Sequence, residues 1–180
     1  KGCIERSGKT ICNYDGKARG VVSMQEVLNQ SLNTGATFIA ETMGRNVFGE
    51  YVHAYGLGEK SGVDLPSEAR GIIHSIDRGY DVDYASASFG QGIAVTPMEM
   101  IRALSVLGNG GTLPPPHVVT GIRFESGITR AIEPTAGARV ISEESAATVT
   151  AMLVKVFDNA LLGGVLKQEH YSIAAKTGTA

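Results

Sequence analysis

The spacing of apolar residues along the chain predicts a mainly helical protein. In several stretches apolar side chains recur every three to four residues, which places them on one face of a helix. The first such helix follows Ser23-Met24-Gln25-Glu26, a capping box with Val22 and Val27 as its hydrophobic staple, and runs to about Gln30. The same pattern predicts further helices at Thr34–Gly44, Val47–Tyr55, Pro97–Leu107 and Glu143–Phe157.

The strand signals are fewer and shorter. Val118–Phe124 and Ile128–Ile132 flank Ser126-Gly127 and predict a small hairpin. Tyr171–Ala175 predicts a short strand that leads directly into Lys176. Residues 59–95 contain many glycines and no sustained period, so they predict irregular chain. The fold class is therefore α+β and predominantly helical.

The predicted organisation follows from these elements. In chain order it comprises a β-hairpin over 1–20, a helical subdomain over 21–165 with a small hairpin near 117–133, and a strand over 170–180. Neither an internal repeat nor a low-complexity tract interrupts this order.

Two cysteines lie on either side of a predicted turn at Ser7-Gly8. A two-residue turn there pairs Arg6 with Lys9 and, three positions further out, Cys3 with Cys12. Alternation along an antiparallel ladder makes Cys3 and Cys12 a non-hydrogen-bonded pair, the closer kind, which can accept a disulfide. A disulfide would place the chain outside the cytosol. Two reduced thiols in a hairpin fit the sequence equally well.

Composition and charge exclude some function classes. The 180 residues are 43% hydrophobic and 19% charged, as in an ordinary soluble domain, and the net charge is −2. There is no basic stripe, so a nucleic-acid partner is not expected. The four histidines are scattered without metal-ligand spacing, and neither a metal nor a cofactor is predicted.

Three short motifs carry the candidate chemistry. Ser31-Leu32-Asn33 links two predicted helices, Ser88-Phe89-Gly90-Gln91-Gly92 lies in the middle of the chain, and Lys176-Thr177-Gly178-Thr179 stands at its end. Each alone has a simpler structural interpretation: a helix end followed by a cap, a tight turn with Phe89 in the core, and a surface lysine. Only their combination and order point to a function.

That order resembles the penicillin-binding transpeptidases, especially the class B enzymes, whose superfamily carries Ser-x-x-Lys, Ser-x-Asn and Lys-Thr-Gly motifs. The resemblance covers nearly the whole chain. Other segments that look like class B sequence are Asn13-Tyr14-Asp15-Gly16, Tyr55-Gly56-Leu57-Gly58, Gly62-Val63-Asp64-Leu65-Pro66 and Leu107-Gly108-Asn109-Gly110-Gly111.

The resemblance implies a particular part of a known fold. Residues 1–180 correspond to a partial transpeptidase domain: the helical subdomain and one strand of its antiparallel sheet. No lysine here has a serine three positions before it, so we expect the nucleophile of Ser-x-x-Lys to lie before Lys1 and further sheet strands to follow Ala180. We therefore expect the chain alone to be inactive.

The chemistry of acyl transfer explains the residue types. Ser31 can relay a proton because a hydroxyl both donates and accepts, and the amide of Asn33 can orient a substrate carbonyl and an ammonium. Lys176 supplies positive charge. These three are the expected catalytic residues.

The expected substrate-binding residues are the three that follow Lys176. Thr177 and Thr179 offer hydroxyls to a substrate carboxylate, and Gly178 allows a substrate backbone to lie close. The resemblance further implies that the backbone N–H of Thr179 forms half of the oxyanion hole. Strict strand alternation, however, puts Lys176 and Thr177 on opposite faces.

The function implied by the resemblance is that of a serine-type peptidoglycan D,D-transpeptidase. Such an enzyme crosslinks stem peptides through an acyl-enzyme, is acylated by β-lactam antibiotics, and works at the extracytoplasmic face of the cell membrane with division or elongation proteins. The membrane is contacted only through an anchor outside this segment. Two alternatives share the motifs: a β-lactamase or penicillin-sensing relative, and a catalytically inactive scaffold of the cell-wall machinery.

Overall fold

A computed structural model of the chain describes residues 1–78, 80–133 and 135–178, and it has the predicted α+β class. The helices are α1 (Met24–Asn29), α2 (Asn33–Met43), α3 (Arg45–Ala54), α4 (His74–Asp77), α5 (Asp81–Ala87), α6 (Pro97–Gly108) and α7 (Glu143–Lys155). The strands are β1 (Cys3–Arg6), β2 (Lys9–Cys12), β3 (Thr112–Leu113), β4 (Gly121–Arg123), β5 (Thr129–Ala131) and β6 (Ala138–Arg139). They pair as three two-stranded antiparallel sheets, β1–β2, β3–β6 and β4–β5.

The chain forms two compact units. The first comprises residues 1–50, 74–93 and 147–180, and the second comprises 51–73 and 94–146. The segment 21–165, which we expected to be one helical subdomain, is therefore divided between the two units. The sequence could not show this division, because helix periodicity is local and does not report which helices pack together.

The N-terminal hairpin has the predicted register, with Arg6 opposite Lys9 and Cys3 opposite Cys12. Ser7 and Gly8 both have positive φ, 48° and 75°, as the two central residues of a type I′ turn do. The structure joins Cys3 to Cys12 by a disulfide, with Cα atoms 4.1 Å apart, a separation typical of a non-hydrogen-bonded pair. The covalent bond thus closes the open end of the hairpin.

Removal of this disulfide is expected to cost stability. Closing a loop of this length lowers the entropy of the unfolded chain, which corresponds to about 2.5–3 kcal/mol at 25 °C. We therefore expect the free energy of unfolding of the double variant Cys3→Ser, Cys12→Ser to be lower than that of the wild type by this amount. Its denaturation midpoint should fall accordingly. Intact-mass measurement before and after reduction checks the bond itself: an unchanged mass, or equal stability of the two proteins, would contradict it.

In the first unit, α1 and α2 pack closely at one glycine. A Cβ built on Gly35 would lie 2.7 Å from both methyl carbons of Val27, so no larger residue fits there without displacing α1. Val27 itself is buried. The close approach fixes the short link between α1 and α2, which carries Ser31.

Two short helices in the first unit, α4 and α5, lie in the segment that we predicted to be irregular. Tyr84 of α5 is buried, donates its hydroxyl hydrogen bond to the carbonyl of Ala40 in α2, and packs edge-on against Phe48 with ring centroids 5.1 Å apart. These helices have four and seven residues, too few to be stable in isolation. Packing therefore determines them, which is why local patterns missed them.

In the second unit, α6 begins with a capping box. The Thr96 hydroxyl accepts the N–H of Glu99, and the Glu99 carboxylate accepts the N–H of Thr96 and, at 2.7 Å, that of Gly71. Glu99 is buried and these three bonds satisfy it. Although α6 is mostly apolar, it is not buried on all sides, because Met100, Ile101 and Leu104 are exposed.

The predicted hairpin near 117–133 is present in the second unit as β4 and β5, with Arg123 opposite Thr129. Its strands are shorter than predicted and their residues are exposed. Nearby, the Asp64 carboxylate accepts the backbone N–H groups of Val118 and Val119 at 2.7 and 2.8 Å. These bonds hold the chain that leads into the hairpin.

The strand predicted over 170–180 is not observed in the described residues 170–178, which carry no regular secondary structure. A strand requires a partner for its backbone hydrogen bonds, and these residues pair with none of the three small sheets. One backbone bond nevertheless fixes the segment, since the N–H of Ala175 donates to the carbonyl of Leu153 in α7 at 3.4 Å.

Within the described residues, Glu143–Gly164 is the stretch with the length and composition of a membrane span, which alone is weak evidence for one. It begins with α7, continues as one π-helical turn, Val156–Ala160, and ends in a 3-10 segment. Leu162 and Gly163 have positive φ, so the stretch is not one continuous helix.

Candidate functional site

Ser31 lies at the end of α1 in a left-handed helix cap. The N–H of Ser31 donates to Leu28 at 3.2 Å and the N–H of Leu32 donates to Val27 at 3.0 Å, the two bonds of a Schellman motif. The two positions where this motif usually has an apolar contact are occupied by Val27 and Leu32, and both are buried. The sequence thus ends the helix with a buried leucine and leaves the preceding residue, Ser31, projecting outward.

The backbone of Ser31 has φ 52°, a conformation that glycine adopts far more readily. A serine at this position costs conformational energy of about 1 kcal/mol relative to glycine. Such a cost is common where a side chain has a task beyond packing. The exposed Ser31 hydroxyl is consistent with a task of that kind.

Asn33 is the first residue of α2, two positions after Ser31. Its side-chain NH₂ donates to the carbonyl of Cys12 at 2.9 Å, so the amide is anchored to the disulfide-closed hairpin. The residue before it, Leu32, provides no side-chain cap for α2. Instead, the next N–H along, that of Thr34, donates to the side-chain oxygen of Asn13 at 3.2 Å.

Lys176 reaches Ser31 across 145 residues of sequence. Its Nζ lies 2.8 Å from Ser31 Oγ, 3.0 Å from the carbonyl oxygen of Thr177 and 3.2 Å from Thr177 Oγ1. These three contacts match the three donors of an ammonium group. Partial burial lowers the pKa of Lys176 from its ordinary value.

The strand-based expectation that Lys176 and Thr177 face opposite ways is wrong for this structure. Residues 171–178 are not paired in a sheet, so the side chains need not alternate, and the Lys176 ammonium bonds to Thr177 itself. The hydrogen bond from the Ala175 N–H to the Leu153 carbonyl positions the backbone one residue before Lys176.

Of the predicted site residues, the structure brings together Ser31, Lys176 and Thr177. It anchors Asn33 to the hairpin through Cys12 and leaves Gly178 with open space where a Cβ would stand. Thr179 lies outside the described residues. The part of the chain that the structure describes contains no group of three or more histidine, cysteine, aspartate or glutamate side chains that could hold a metal ion.

Asn13 is the residue that the sequence analysis missed as part of this site. It is 3% exposed, and its side chain contacts both Lys17 and Thr34. The sequence concealed this role, because a helix predicted to begin at Thr34 has Asn33 as an apparent cap, whereas α2 begins at Asn33 itself and is preceded by Leu32. A helix start without Ser, Thr, Asp or Asn before it requires a partner from elsewhere in the chain.

The arrangement defines a class. An α+β fold that holds a Ser-x-Asn serine against the lysine of a Lys-Thr-Gly segment is that of the penicillin-recognising domains. The family model of the penicillin binding protein transpeptidase domain matches residues 2–180. The chain belongs to this family.

Individual relatives agree with the family match. Stage V sporulation protein D of Bacillus subtilis is 32% identical over 184 residues, covering 100% of this chain and 28% of that protein. Peptidoglycan D,D-transpeptidase FtsI of Escherichia coli is 31% identical over 162 residues, covering 88% of this chain and 25% of that protein. The crystal structure of penicillin binding protein 3 from Mycobacterium tuberculosis in complex with aztreonam has a TM-score of 0.81 and 26% identity, and covers 90% of this chain and 36% of that one.

The chain therefore spans 25% to 28% of the length of these two curated relatives. The match supports the family and the fold of this segment. What the whole protein does is a separate question.

Proposed function

We propose that the chain forms one wall of the acyl-transfer site of a serine-type peptidoglycan D,D-transpeptidase, which crosslinks stem peptides and is acylated by β-lactams. The observation that carries the proposal is the 2.8 Å contact between Lys176 Nζ and Ser31 Oγ. In this proposal the nucleophilic serine lies in flanking sequence before Lys1, and the whole protein is this chain with its flanking sequence.

The proposed chemistry follows from what the two side chains can donate. The acyl-transfer step requires a proton to pass from the attacking hydroxyl to the leaving amine. Ser31 accepts a hydrogen bond from Lys176 while its own O–H is available to donate, so it can pass a proton between the nucleophile and the leaving group. The positive charge of Lys176 stabilises the hydroxyl as it gives up its proton and attracts the substrate carboxylate.

The neighbouring residues support substrate binding in this proposal. The Thr177 hydroxyl lies beside Lys176 and can donate to the same carboxylate, and the open space at Gly178 admits a substrate backbone. Asn33 orients a substrate carbonyl through the remaining hydrogen of its NH₂ group, the other being held by Cys12. Thr179 completes the Lys-Thr-Gly-Thr segment and is proposed to contribute its N–H to the oxyanion hole.

The acylation rate is expected to fall at alkaline pH. The three contacts of Lys176 use the protonated form, and burial lowers its pKa, so the ammonium is lost at lower pH than in an ordinary lysine, whose pKa is about 10.4. The free energy of unfolding, in contrast, should rise with pH in this range. The reason is that the unfolded chain binds more protons at Lys176 than the folded one does.

The measurement for this prediction is the second-order rate of acylation of the whole protein by a penicillin from neutral to alkaline pH, corrected for hydrolysis of the antibiotic. Lys176→Arg is the matched variant, because a guanidinium remains charged over the whole range. A wild-type profile that stays flat through the pKa of an ordinary lysine, or the same alkaline decrease in both proteins, would show that Lys176 does not control it.

The function itself is tested by labelling the whole protein with a fluorescent penicillin and then chasing with unlabelled antibiotic. A stable covalent label is the expected result. The absence of label in the folded protein would favour the inactive scaffold, and a label lost within seconds would favour a β-lactamase.

The same proposal places the domain at the extracytoplasmic face of the cell membrane, anchored through sequence outside this segment. The Cys3–Cys12 disulfide supports that location, because such bonds persist in oxidising compartments. Division or elongation proteins are the proposed protein partners. The names of the relatives, which include a sporulation protein and a peptidoglycan transpeptidase, support a role in cell-wall synthesis.

A further inference from the structure

We propose that Asn13 is a positioning residue for the Ser31-Leu32-Asn33 link, and that the segment Cys12–Arg19 holds this link from both sides. The inference rests on the proposed function for its kinetic consequence. Its structural basis is the contacts that the segment makes immediately before and after the link.

On the far side of the link, two consecutive residues of the segment bind two consecutive residues of α2. The Cys12 carbonyl accepts from Asn33 Nδ2 at 2.9 Å. Asn13 Oδ1 accepts from the N–H of Thr34 at 3.2 Å and from its hydroxyl at 3.1 Å. Asn13 thereby supplies the N-terminal cap that Leu32 does not give to α2.

On the near side, Arg19 donates through Nε to the side-chain oxygen of Gln30, the residue immediately before Ser31. Arg19 is itself held by Asp15, at 2.6 Å, and donates to the carbonyl of Lys17 at 3.1 Å. The segment therefore contacts the residue before the link, Gln30, and two residues on its other side: Asn33, the last of the link, and Thr34, which follows it. These contacts restrict the positions of both the Ser31 hydroxyl and the Asn33 amide.

Asn13 is the residue that connects the two sides. Its Nδ2 donates to the same Lys17 carbonyl that accepts from Arg19, at 3.1 Å. Its backbone is also fixed, since its N–H donates to Gly2 at 2.9 Å and its carbonyl accepts from Gly16 at 2.9 Å. With an exposed fraction of 3%, Asn13 has no solvent to replace a lost partner.

A conservative variant separates this role from a general contribution to folding. In Asn13→Ala the cap on Thr34 is lost. In Asn13→Asp a carboxylate oxygen still accepts both bonds from Thr34, at the positive end of α2, although the donor to Lys17 is gone. A positioning role predicts that Asn13→Asp restores the acylation rate toward that of the wild type. Loss of stability alone predicts that the acylation rates of both variants fall in step with their unfolding temperatures.

The first measurement is independent of activity. Hydrogen exchange of the whole protein should become about fivefold faster over Gln30–Ala36 in Asn13→Ala, the effect of losing a helix cap, and should increase less in Asn13→Asp, which keeps the cap but loses the donor to Lys17. Exchange over α6 should be unchanged in both. Tyr14→Ala is the matched control, because Tyr14 is the adjacent residue and is 77% exposed. Wild-type exchange over Gln30–Ala36 in folded Asn13→Ala would overturn the proposal.

The second measurement is acylation by a fluorescent penicillin under saturating conditions. Asn13→Ala should slow the acylation step by at least about tenfold with little change in the affinity of the initial complex, and Asn13→Asp should recover part of that rate. A folded Asn13→Ala with the wild-type rate would overturn the kinetic part. If Asn13→Ala does not fold, Thr34→Val decides: it removes the hydroxyl that donates to Asn13 Oδ1 and should slow acylation about twofold, both in the wild type and in Asn13→Asp, which keeps the acceptor. A folded Thr34→Val with the wild-type rate would overturn the proposal.

The two measurements distinguish the inference from the function on which it rests. A wild-type protein that is not labelled, but whose exchange over Gln30–Ala36 depends on Asn13, contradicts the proposed function and supports the positioning role. A labelled wild type whose exchange and rate are both unaffected by Asn13→Ala contradicts the positioning role and supports the function.

Discussion

Replacing Lys176 by alanine in the whole protein is expected to slow acylation by a penicillin by about two to four orders of magnitude. The substitution removes the ammonium that donates to Ser31 Oγ at 2.8 Å and to both oxygens of Thr177. It also removes the positive charge that we propose attracts the substrate carboxylate. The measurement is the second-order rate of labelling by fluorescent penicillin.

The control for Lys176 is a lysine of the same C-terminal segment. Lys167 is exposed and lies nine positions earlier, so Lys167→Ala should label at the wild-type rate. Circular dichroism of both variants establishes that they are folded. A folded Lys176→Ala protein with an unchanged rate would show that the Lys176–Ser31 contact is structural.

Two substitutions of Ser31 are expected to separate chemistry from stability. Ser31→Ala and Ser31→Gly both remove the hydroxyl, so both should slow acylation by about a hundredfold or more. Their stabilities should differ, because φ at Ser31 is 52°, where glycine is favoured over a residue with a Cβ. We expect Ser31→Gly to be more stable than Ser31→Ala by about 1 kcal/mol, measured by chemical denaturation.

Ser67 provides the control for Ser31, since it is exposed and has a similar φ of 61°. Ser67→Gly should stabilise the protein by a comparable free energy and leave acylation unchanged. If Ser31→Gly labels at the wild-type rate, Ser31 has no part in the chemistry. If Ser31→Gly is less stable than Ser31→Ala, the left-handed backbone conformation assigned to Ser31 is wrong.

The sequence predicted the parts of the fold that are determined locally. The starts of α1 and α6, the turn at Ser7-Gly8 and the register of Cys3 with Cys12 follow from caps, glycines and alternation within a few residues. At α1 the prediction held in part: the Ser23 hydroxyl accepts the Glu26 N–H, but the Glu26 carboxylate accepts from Asn29 and Gln30.

Features that depend on distant contacts were missed. Helix α5 exists because Tyr84 packs against α2, and residues 170–178 form no strand because no partner strand lies beside them. Motif order selected Ser31 and Lys176 together, and the structure places Lys176 Nζ 2.8 Å from Ser31 Oγ. Their geometry could not be derived, because the assumption of strand alternation directed Lys176 and Thr177 to opposite sides.

The most direct test of the account is a crystal structure of the whole transpeptidase domain acylated by a β-lactam. The account predicts that the acylated serine lies beside Ser31 and Lys176, with Lys176 Nζ within hydrogen-bond distance of Ser31 Oγ and with Thr177 facing the carboxylate of the bound antibiotic. An acylated serine in a cleft that contains neither Ser31 nor Lys176 would contradict it.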